Sequence, residues 1–275
     1  MITDFHTHAM PDGLAPRALS TLRAGIREVS GIEIEPATDF TYAGLIRAAE
    51  AAGADRSVVL PVATKPGQAE KINASARETE KKAKGSVVVF AAVHPADGDF
   101  ENLMPRLADS GFLGIKLHPE FQSEYFDSDR MIRLLKAARD SDLTVVTHAG
   151  ADIGIRPPVH GTPERLARAL ERVPGLRLVA AHLGGWMMWD AVAGFLCGLP
   201  LYFDTSFLSG FIEPSRLRDI IRSHGSRRVL FGSDSPWESP SRTLELLRSS
   251  GLSAGELEEI TSANAEKILK RKERI

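Results

Sequence analysis

The sequence contains a single cysteine, Cys197, so the chain cannot form an internal disulfide bond. Because this cysteine lies in an apolar stretch, we expect it to be a buried thiol without a chemical role. No segment approaches the ~20 consecutive apolar residues of a membrane-spanning helix. The net charge of −2 provides no strong field for nucleic acids or anionic membranes. The composition therefore favours a small-molecule substrate as the partner, with no nucleic acid and no membrane.

The first ten residues, MITDFHTHAM, also lack a feature that secreted proteins carry. They have no basic segment followed by an apolar run, which is the pattern of a secretory signal. Together with the scarcity of cysteine, this predicts a reducing, cytoplasmic setting.

Short apolar segments recur along the 275 residues, and most are continuous runs rather than alternating ones. There are eight of them, at residues 3–8, 57–63, 87–94, 113–118, 143–148, 178–182, 201–204 and 229–234. Continuous apolar runs are typical of parallel strands that are buried on both faces. Helical patterns separate them, at spacings typical of one strand-helix unit. The sequence therefore predicts an α/β protein, a (β/α)8 TIM barrel formed as one domain over residues 1–275, with an open doubly wound sheet as the alternative.

Several helix starts are predicted by capping residues. Thr162 and Ser239 each precede a proline, which suits the first position of a helix, and Ser253 with Glu256 forms a capping-box pattern. Two connections are long, at residues 9–41 and 149–161. We expect residues 42–52 to be the first helix. In a barrel, both long connections would lie on the face where active sites occur.

Polar side chains recur at the carboxyl ends of these apolar segments. They are His6, His8, His94, Lys116, His118, His148, His182 and Asp234. The carboxyl ends of barrel strands converge on one pocket, so these side chains are expected to meet there. His6 and His8 are two residues apart and project to the same face of a strand, which suits two imidazoles that bind one metal ion.

Five motifs, in order, resemble those of the amidohydrolase superfamily. They are DFHTH at 4–8, GIKLHP at 114–119, VVTHAG at 145–150, AAHLGG at 180–185 and FGSDSPW at 231–237. The similarity is greatest to the branch that includes aminocarboxymuconate-semialdehyde decarboxylase. The resemblance implies a divalent metal ion held by His6, His8, His148 and Asp234. Zinc is the first expectation, with manganese, iron and cobalt as alternatives.

The resemblance also implies catalytic roles. Asp234 would accept a proton from metal-activated water, and His182 would polarise water or substrate. Lys116 has three interpretations: a carbamate that bridges two metal ions, a cation that binds a substrate carboxylate or tunes a pKa, or a structural ion pair. We expect the second, with one metal ion per chain, and we count Lys116 among the catalytic as well as the substrate-binding residues. His118 and Arg156 are further predicted substrate contacts.

Other histidines and two tryptophans receive weaker predictions. His94 and His160 are candidate pocket residues, although a structural or solvated role is favoured for both. His224 ends a predicted helix and is expected at the surface. Trp186 and Trp189 are interpreted as an apolar wall, as packing residues or as part of a contact in a homodimer.

The predicted function is hydrolysis of an amide, lactone or related bond in a small carboxylated substrate. The alternative is a lyase, that is, a nonoxidative decarboxylase or hydratase that uses the same ligands. A phosphoesterase of the polymerase-and-histidinol-phosphatase type ranks lower. The last motif of that family is usually Asp-x-His, whereas the last motif of this chain is Gly-Ser-Asp-Ser-Pro-Trp. A barrel that binds without catalysis ranks last.

Overall fold

The computed structural model describes residues 1–270, so the last five residues of the predicted 1–275 domain lie outside the described residues. Its strands are parallel wherever they pair. The strands are β1 (Thr3–Thr7), β2 (Arg56–Val59), β3 (Val87–Val89), β4 (Ala91–Ala92), β5 (Gly114–Leu117), β6 (Thr144–Thr147), β7 (Leu178–Ala180), β8 (Tyr202–Asp204) and β9 (Val229–Leu230). Each of the eight predicted apolar segments overlaps at least one of them.

The strands β3 and β4 are two parts of one barrel strand, separated by Phe90. The N–H of Phe90 donates to the carbonyl of Val59 on β2 at 3.1 Å, while the next residue, Ala91, pairs with Ile115 on β5. This strand therefore joins the sheet β1-β2-β3 to the sheet β4-β5-β6-β7-β8-β9.

Backbone hydrogen bonds also connect the last strand to the first. The N–H of Phe5 donates to the carbonyl of Phe231 at 2.7 Å, and the N–H of Asp234 donates to the carbonyl of His6 at 2.8 Å. A third bond joins the N–H of His8 to the carbonyl of Ser235 at 2.6 Å. These bonds complete a ring of eight strands, which confirms the predicted barrel against the open sheet.

Helices follow the strands around the outside of the ring. They are α1 (Ala15–Ser30), α2 (Tyr42–Ala52), α3 (Ala69–Lys82), α4 (Phe100–Asp109), α5 (Pro119–Gln122), α6 (Asp129–Asp140), α7 (Pro163–Arg172), α8 (Trp189–Phe195), α9 (Pro214–His224), α10 (Pro240–Ser249), α11 (Ala254–Glu258) and α12 (Asn264–Leu269). The side chains of Thr162, Ser239 and Ser253 cap α7, α10 and α11 as predicted, and Glu256 completes the capping box. Among residues 1–270, no helix is long and apolar enough to cross a bilayer.

The helix α1 corrects the expectation that the first helix begins at Tyr42. It lies within the connection at residues 9–41, with Pro16 in its first turn and Gly31 in the left-handed conformation after its last. Both are ordinary helix boundary signals. Only two of its residues are buried. Apolar residues do recur along one face of the helix, but Arg17, Thr21 and Gly25 interrupt that face.

Two other expectations are also corrected by burial. Cys197 is half-buried rather than a core residue, because it packs at the edge of the main apolar cluster. His224 is 1% exposed rather than at the surface. Its ring stacks on Phe203 with centroids 3.8 Å apart, and Nε2 donates to the carbonyl of Leu201 at 3.0 Å. His224 is therefore buried although it ends a helix, because β8 packs against this helix end.

One apolar cluster contains side chains from strands all around the ring. It consists of Phe5, Val58, Leu60, Phe90, Val146, Val179 and Leu230, together with Ala265 and Ile268 of α12. Filling a barrel with branched and aromatic side chains makes it a packed core rather than a pore. The polar residues of the site therefore have a rigid, apolar base.

Candidate metal centre

The polar residues at the strand ends meet in one cavity of about 840 Å³. Of the residues predicted to carry chemistry, His6, His8, Lys116, His118, His148, His182 and Asp234 line it. Asp152, which sequence reasoning did not single out, lines it too. The remaining surface is mainly apolar and includes Phe40, Phe207, Trp186 and Trp237.

Three of the four predicted ligands form a compact group. One ligand atom from each of His6, His8 and Asp234 lies within 4.8 Å of the other two. The Nε2 atoms of the two histidines are 3.2 Å apart, and Asp234 Oδ1 lies 3.1 Å from His8 Nε2 and 3.5 Å from His6 Nε2. The same-face projection predicted from their spacing is confirmed.

The far nitrogens of the two imidazoles are fixed by acceptors. His6 Nδ1 donates to Asp204 Oδ2 at 2.8 Å, and His8 Nδ1 donates to the carbonyl of Leu60 at 2.8 Å. A neutral imidazole that donates through Nδ1 has only a lone pair on Nε2. Burial, with the Lys116 ammonium nearby, lowers the pKa of His6 to about 4, which favours this neutral form.

Two lone pairs and a carboxylate oxygen that point at one another repel unless a cation lies between them. Burial acts to raise the pKa of Asp234, but His6 and His8 hold it well below its ordinary value, so the carboxylate is ionised. Two imidazole nitrogens and a carboxylate are the donor set that zinc, manganese and iron use in proteins. The three side chains therefore fit a divalent cation.

The turn after β9 places Asp234 against β1. Asp234 adopts the left-handed conformation with φ of 68°, which is uncommon for a residue with a side chain and occurs at functional sites. The carbonyl of Asp234 accepts from the N–H of Trp237 at 2.9 Å. Just before it, Gly232 leaves room for His6, because a Cβ there would lie 2.8 Å from the Cβ of His6.

His148, the fourth predicted ligand, does not join this group of three. Its Nδ1 lies 3.0 Å from His182 Nε2 and its Nε2 donates to the carbonyl of Ala151 at 3.1 Å. His182 Nδ1 lies 3.0 Å from the carbonyl of Ser206, so in their neutral forms His148 and His182 also direct lone pairs at each other. The cavity thus contains a second pair of histidine nitrogens that face each other.

Lys116 lies next to the first of these pairs and is 1% exposed. Its Nζ is 3.1 Å from His6 Nε2. Burial lowers the pKa of Lys116 to about 8, while the charges of Asp204 and Asp234 act in the opposite direction. Within residues 1–270 it makes no ion pair with a carboxylate at 4.0 Å or less, which removes the support for a structural ion pair.

His118 and Asp152 form a further polar pair in the cavity. His118 Nε2 lies 3.4 Å from Asp152 Oδ2, and its ring stacks on His148 with centroids 4.3 Å apart. Burial and the neighbouring His148 lower the pKa of His118 well below its ordinary value. Burial raises the pKa of Asp152 to about 6. The pair can therefore hold a proton close to the histidines.

The predicted contact by Arg156 is not supported by its position. Arg156 is exposed, next to the Pro157-Pro158 pair, and is not among the residues that line the cavity. His160 is also outside the lining, because it is held by Glu120 at 2.8 Å and packs on Tyr125. His94 accepts from the N–H of Ala96 and starts a short turn instead of entering the pocket.

The two tryptophans after β7 differ in position. Trp186 lines the cavity, and its indole N–H donates to the carbonyl of Phe207 at 3.2 Å. Trp189 is buried next to it and donates to the carbonyl of His182 at 3.3 Å. Trp186 therefore serves as the predicted apolar wall, while Trp189 packs behind the site.

Sequence reasoning missed the residue that connects most of these groups. Asp204 is fully buried and accepts hydrogen bonds from His6 Nδ1 and from the N–H of His182 at 2.9 Å. Burial acts to raise its pKa, but His6 and His182 hold the pKa of Asp204 well below its ordinary value. The available signal was its place at the end of the seventh apolar segment, the position that marked the other polar residues.

Three solved structures show the same fold. An uncharacterised TIM-barrel protein from Bordetella bronchiseptica is 19% identical, with a TM-score of 0.73 and coverage of 98% of each chain. The 2,6-dihydroxybenzoate decarboxylase from Rhizobium is 17% identical, with a TM-score of 0.70 and the same coverage. A 5-carboxyvanillate decarboxylase variant from Novosphingobium aromaticivorans, with bound manganese and a nitrobenzoic acid, is 16% identical, with a TM-score of 0.74, and the match covers 98% of this chain and 97% of that one.

Curated protein sequences provide no significant match to the chain. A family of sequences described as "Amidohydrolase" matches residues 3–271, almost the whole length. The match includes both histidines of the first strand and the aspartate after the last strand. The chain therefore belongs to the amidohydrolase family.

Proposed function

We propose that the protein is a metal-dependent nonoxidative decarboxylase of a small carboxylic acid. The observation that carries the proposal is Lys116, a buried cation on the floor of a largely apolar cavity, with no carboxylate partner among the described residues. A buried ammonium needs a compensating negative charge or loses its own. A substrate carboxylate would supply that charge. The decarboxylases that share the fold support this choice over hydrolysis.

The apolar lining suits the loss of carbon dioxide. A carboxylate loses hydration when it enters such a cavity, whereas its charge spreads as the carbon–carbon bond breaks and neutral carbon dioxide leaves. The bond's electron pair stays on the substrate carbon, which then takes a proton. The pair formed by His118 and Asp152 can hold that proton, since the pKa of the Asp152 carboxyl is raised to about 6.

We propose His6, His8 and Asp234 as the ligands of the cation, and His148, which lies outside this group of three, as a fourth ligand that would have to approach it. When bound, a divalent cation supplies positive charge that stabilises the electron pair left on the substrate. Asp204 holds His6 in the tautomer that presents its lone pair, and the carbonyl of Leu60 does the same for His8. Manganese joins zinc as a leading candidate, because decarboxylases of this fold have been solved with manganese bound.

Hydrolysis is the second candidate, favoured by the facing nitrogens of His148 and His182. This pair could hold a second cation, with a carbamate on Lys116 as the bridge. Two cations around one water molecule suit attack on an amide or a lactone. The single cation that we expect and the two cations of this alternative are distinguished by counting metal ions per chain.

The experiment is a paired assay on protein loaded with manganese or zinc. Aromatic and unsaturated carboxylic acids, including 2,6-dihydroxybenzoate, are tested for release of carbon dioxide, and amides and lactones are tested for hydrolysis. We expect carbon dioxide release, lost in Lys116→Gln and retained in Lys136→Gln, a matched change at an exposed lysine. Hydrolysis without carbon dioxide release from any acid would overturn the proposal.

A further inference from the structure

The cavity is larger than a single-ring acid requires. Ligand sites of ~300–1,000 Å³ hold drug-sized molecules, and this cavity has a volume of about 840 Å³. The histidines, Lys116 and the two carboxylates occupy one end of it, at the strand termini. The rest extends between α1, α3 and the loop after β6 and is lined mainly by apolar side chains.

One face of α1 forms a wall of this extension. The lining residues Leu14, Arg17, Ala18, Thr21, Leu22, Gly25 and Ile26 recur at helical spacing. Two contacts fix this wall. The N–H of Met10 donates to the carbonyl of Phe40 at 2.8 Å and joins the two ends of the segment that carries α1, and Ile26 of α1 lies next to Gly154 of the loop after β6. The wall is therefore part of the fold.

Two cations at the rim lack acidic partners. Arg17 on α1 and Lys71 on α3 are exposed, and both line the cavity. Neither makes an ion pair within residues 1–270, whereas Arg23 on the opposite face of α1 is paired with Glu35 at 2.5 Å. The acidic residues that line the cavity, Asp152 and Asp234, lie with the histidines at its floor. Among the described residues that line the cavity, the exposed charged ones are therefore both positive.

We propose that Arg17 and Lys71 form a subsite that binds a second anionic group of the substrate. The substrate is then an elongated acid with an apolar middle and a negative charge at each end. The inference rests on the proposed function in taking the first acidic group to lie at Lys116. Arginine favours carboxylates through its planar pair of donors, and a lysine on a second helix supplies a further charge.

The test is calorimetric binding of acid pairs to manganese-loaded protein. The pairs are 2-naphthoate with 2,6-naphthalenedicarboxylate and 4-biphenylcarboxylate with 4,4′-biphenyldicarboxylate. We expect at least one diacid to bind about fivefold or more tightly than its monoacid, with the advantage shrinking as salt screens the charges. If neither diacid has this advantage, including because no acid binds, the subsite is overturned.

Matched variants locate the effect. Arg17→Gln and Lys71→Gln should each remove most of the diacid advantage and leave monoacid affinity unchanged within about twofold. Arg23→Gln makes the same change in net charge on the same helix, and it should keep the advantage. An equal loss in Arg17→Gln and Arg23→Gln would instead indicate a general effect of charge and contradict the subsite.

Carbon dioxide release is measured separately on the same protein. Tight diacid binding without carbon dioxide release would sink the proposed function and leave the subsite in place. Carbon dioxide release from monoacids, without tighter binding of either diacid, would support the proposed function and overturn the subsite. Thermal unfolding of each variant confirms that the binding comparison is made on folded protein.

Discussion

Histidines are buried at both ends of the barrel, and they differ in what their nitrogens face. At the amino-terminal end of β8, His224 donates to the carbonyl of Leu201, and its Nδ1 accepts from the N–H of Gly198 at 3.3 Å. At the carboxyl ends of the strands, His6 faces His8 and His148 faces His182, with lone pairs opposed in the neutral forms. Burial alone therefore does not identify a chemical role. Two acceptor nitrogens that face each other in a cavity are the better sign of such a role.

The largest expected effect comes from removing a predicted ligand. Asp234→Asn and His148→Ala should each lose bound metal and reduce turnover by about 10²- to 10⁴-fold, because charge compensation and proton transfer depend on these groups. His224→Gln is the control, taken from the opposite end of the barrel, and this variant should keep its bound metal and its turnover. Elemental analysis and steady-state rates provide the measurement. If both variants kept metal and activity, the histidines at the carboxyl ends of the strands would not differ in role from His224.

The same elemental analysis shows whether one or both of the facing pairs, His6 with His8 and His148 with His182, bind a metal ion. We expect one metal ion per wild-type chain. Two per chain, with additional mass on Lys116 that is lost on acidification, would show that both pairs bind and that the lysine bridges them. The single-cation expectation would then be wrong.

A smaller effect is expected from Asp204, which holds the ligand His6 but does not itself line the cavity. Asp204→Asn should weaken manganese binding about 10- to 100-fold, because the charge that orients His6 is lost. Asp190→Asn is the matched control, since Asp190 is exposed and paired with Arg216 at 2.5 Å. Competition with a chelator measures the affinity, and excess manganese should restore activity. No difference between the variants would contradict a positioning role.

The last effect involves neither metal binding nor turnover, only stability, and concerns His224, whose two ring nitrogens both have hydrogen-bond partners. Burial lowers the pKa of His224 to about 4 from an ordinary value of 6.5. Between about pH 6.5 and pH 4 this histidine is protonated in the unfolded chain and neutral in the folded chain. The free energy of unfolding therefore falls as the pH drops through this window. The full loss is on the order of 3 kcal/mol, and above this window it is absent.

Urea unfolding of metal-free protein at pH 7 and pH 5 tests this. The wild type should lose more stability between the two values than His224→Gln, whose side chain does not titrate. An equal loss in both proteins would show that His224 does not contribute to the acid sensitivity.

The parts of the fold that repeat were predictable from the sequence. Each strand buries two faces and is read from a continuous apolar run, and Thr162, Ser239 and Ser253 mark helix starts through a local hydrogen bond. In contrast, α1 was missed because the face that lines the cavity is a mixture in which Arg17, Thr21 and Gly25 interrupt the apolar residues.

The candidate site was predictable where position along a strand determines it. His6, His8, Lys116, His182 and Asp234 reach the cavity because strand ends converge there. Arg156 and Asp152 lie in the same loop after β6, yet only Asp152 points inward. Which loop side chain turns inward depends on tertiary packing, and neither spacing nor composition records it.

The anchoring of α1 has a consequence for how such a protein could change. Residues 10 and 41 pair with each other, so the segment between them leaves and rejoins the barrel at almost one point. A different segment with the same two endpoints could be grafted there, provided that it replaces the bond from the N–H of Ala37 to the carbonyl of Pro236 beside the Asp234 turn. Substrate range and metal chemistry would then vary independently, one through exchange of this module and the other through the barrel itself.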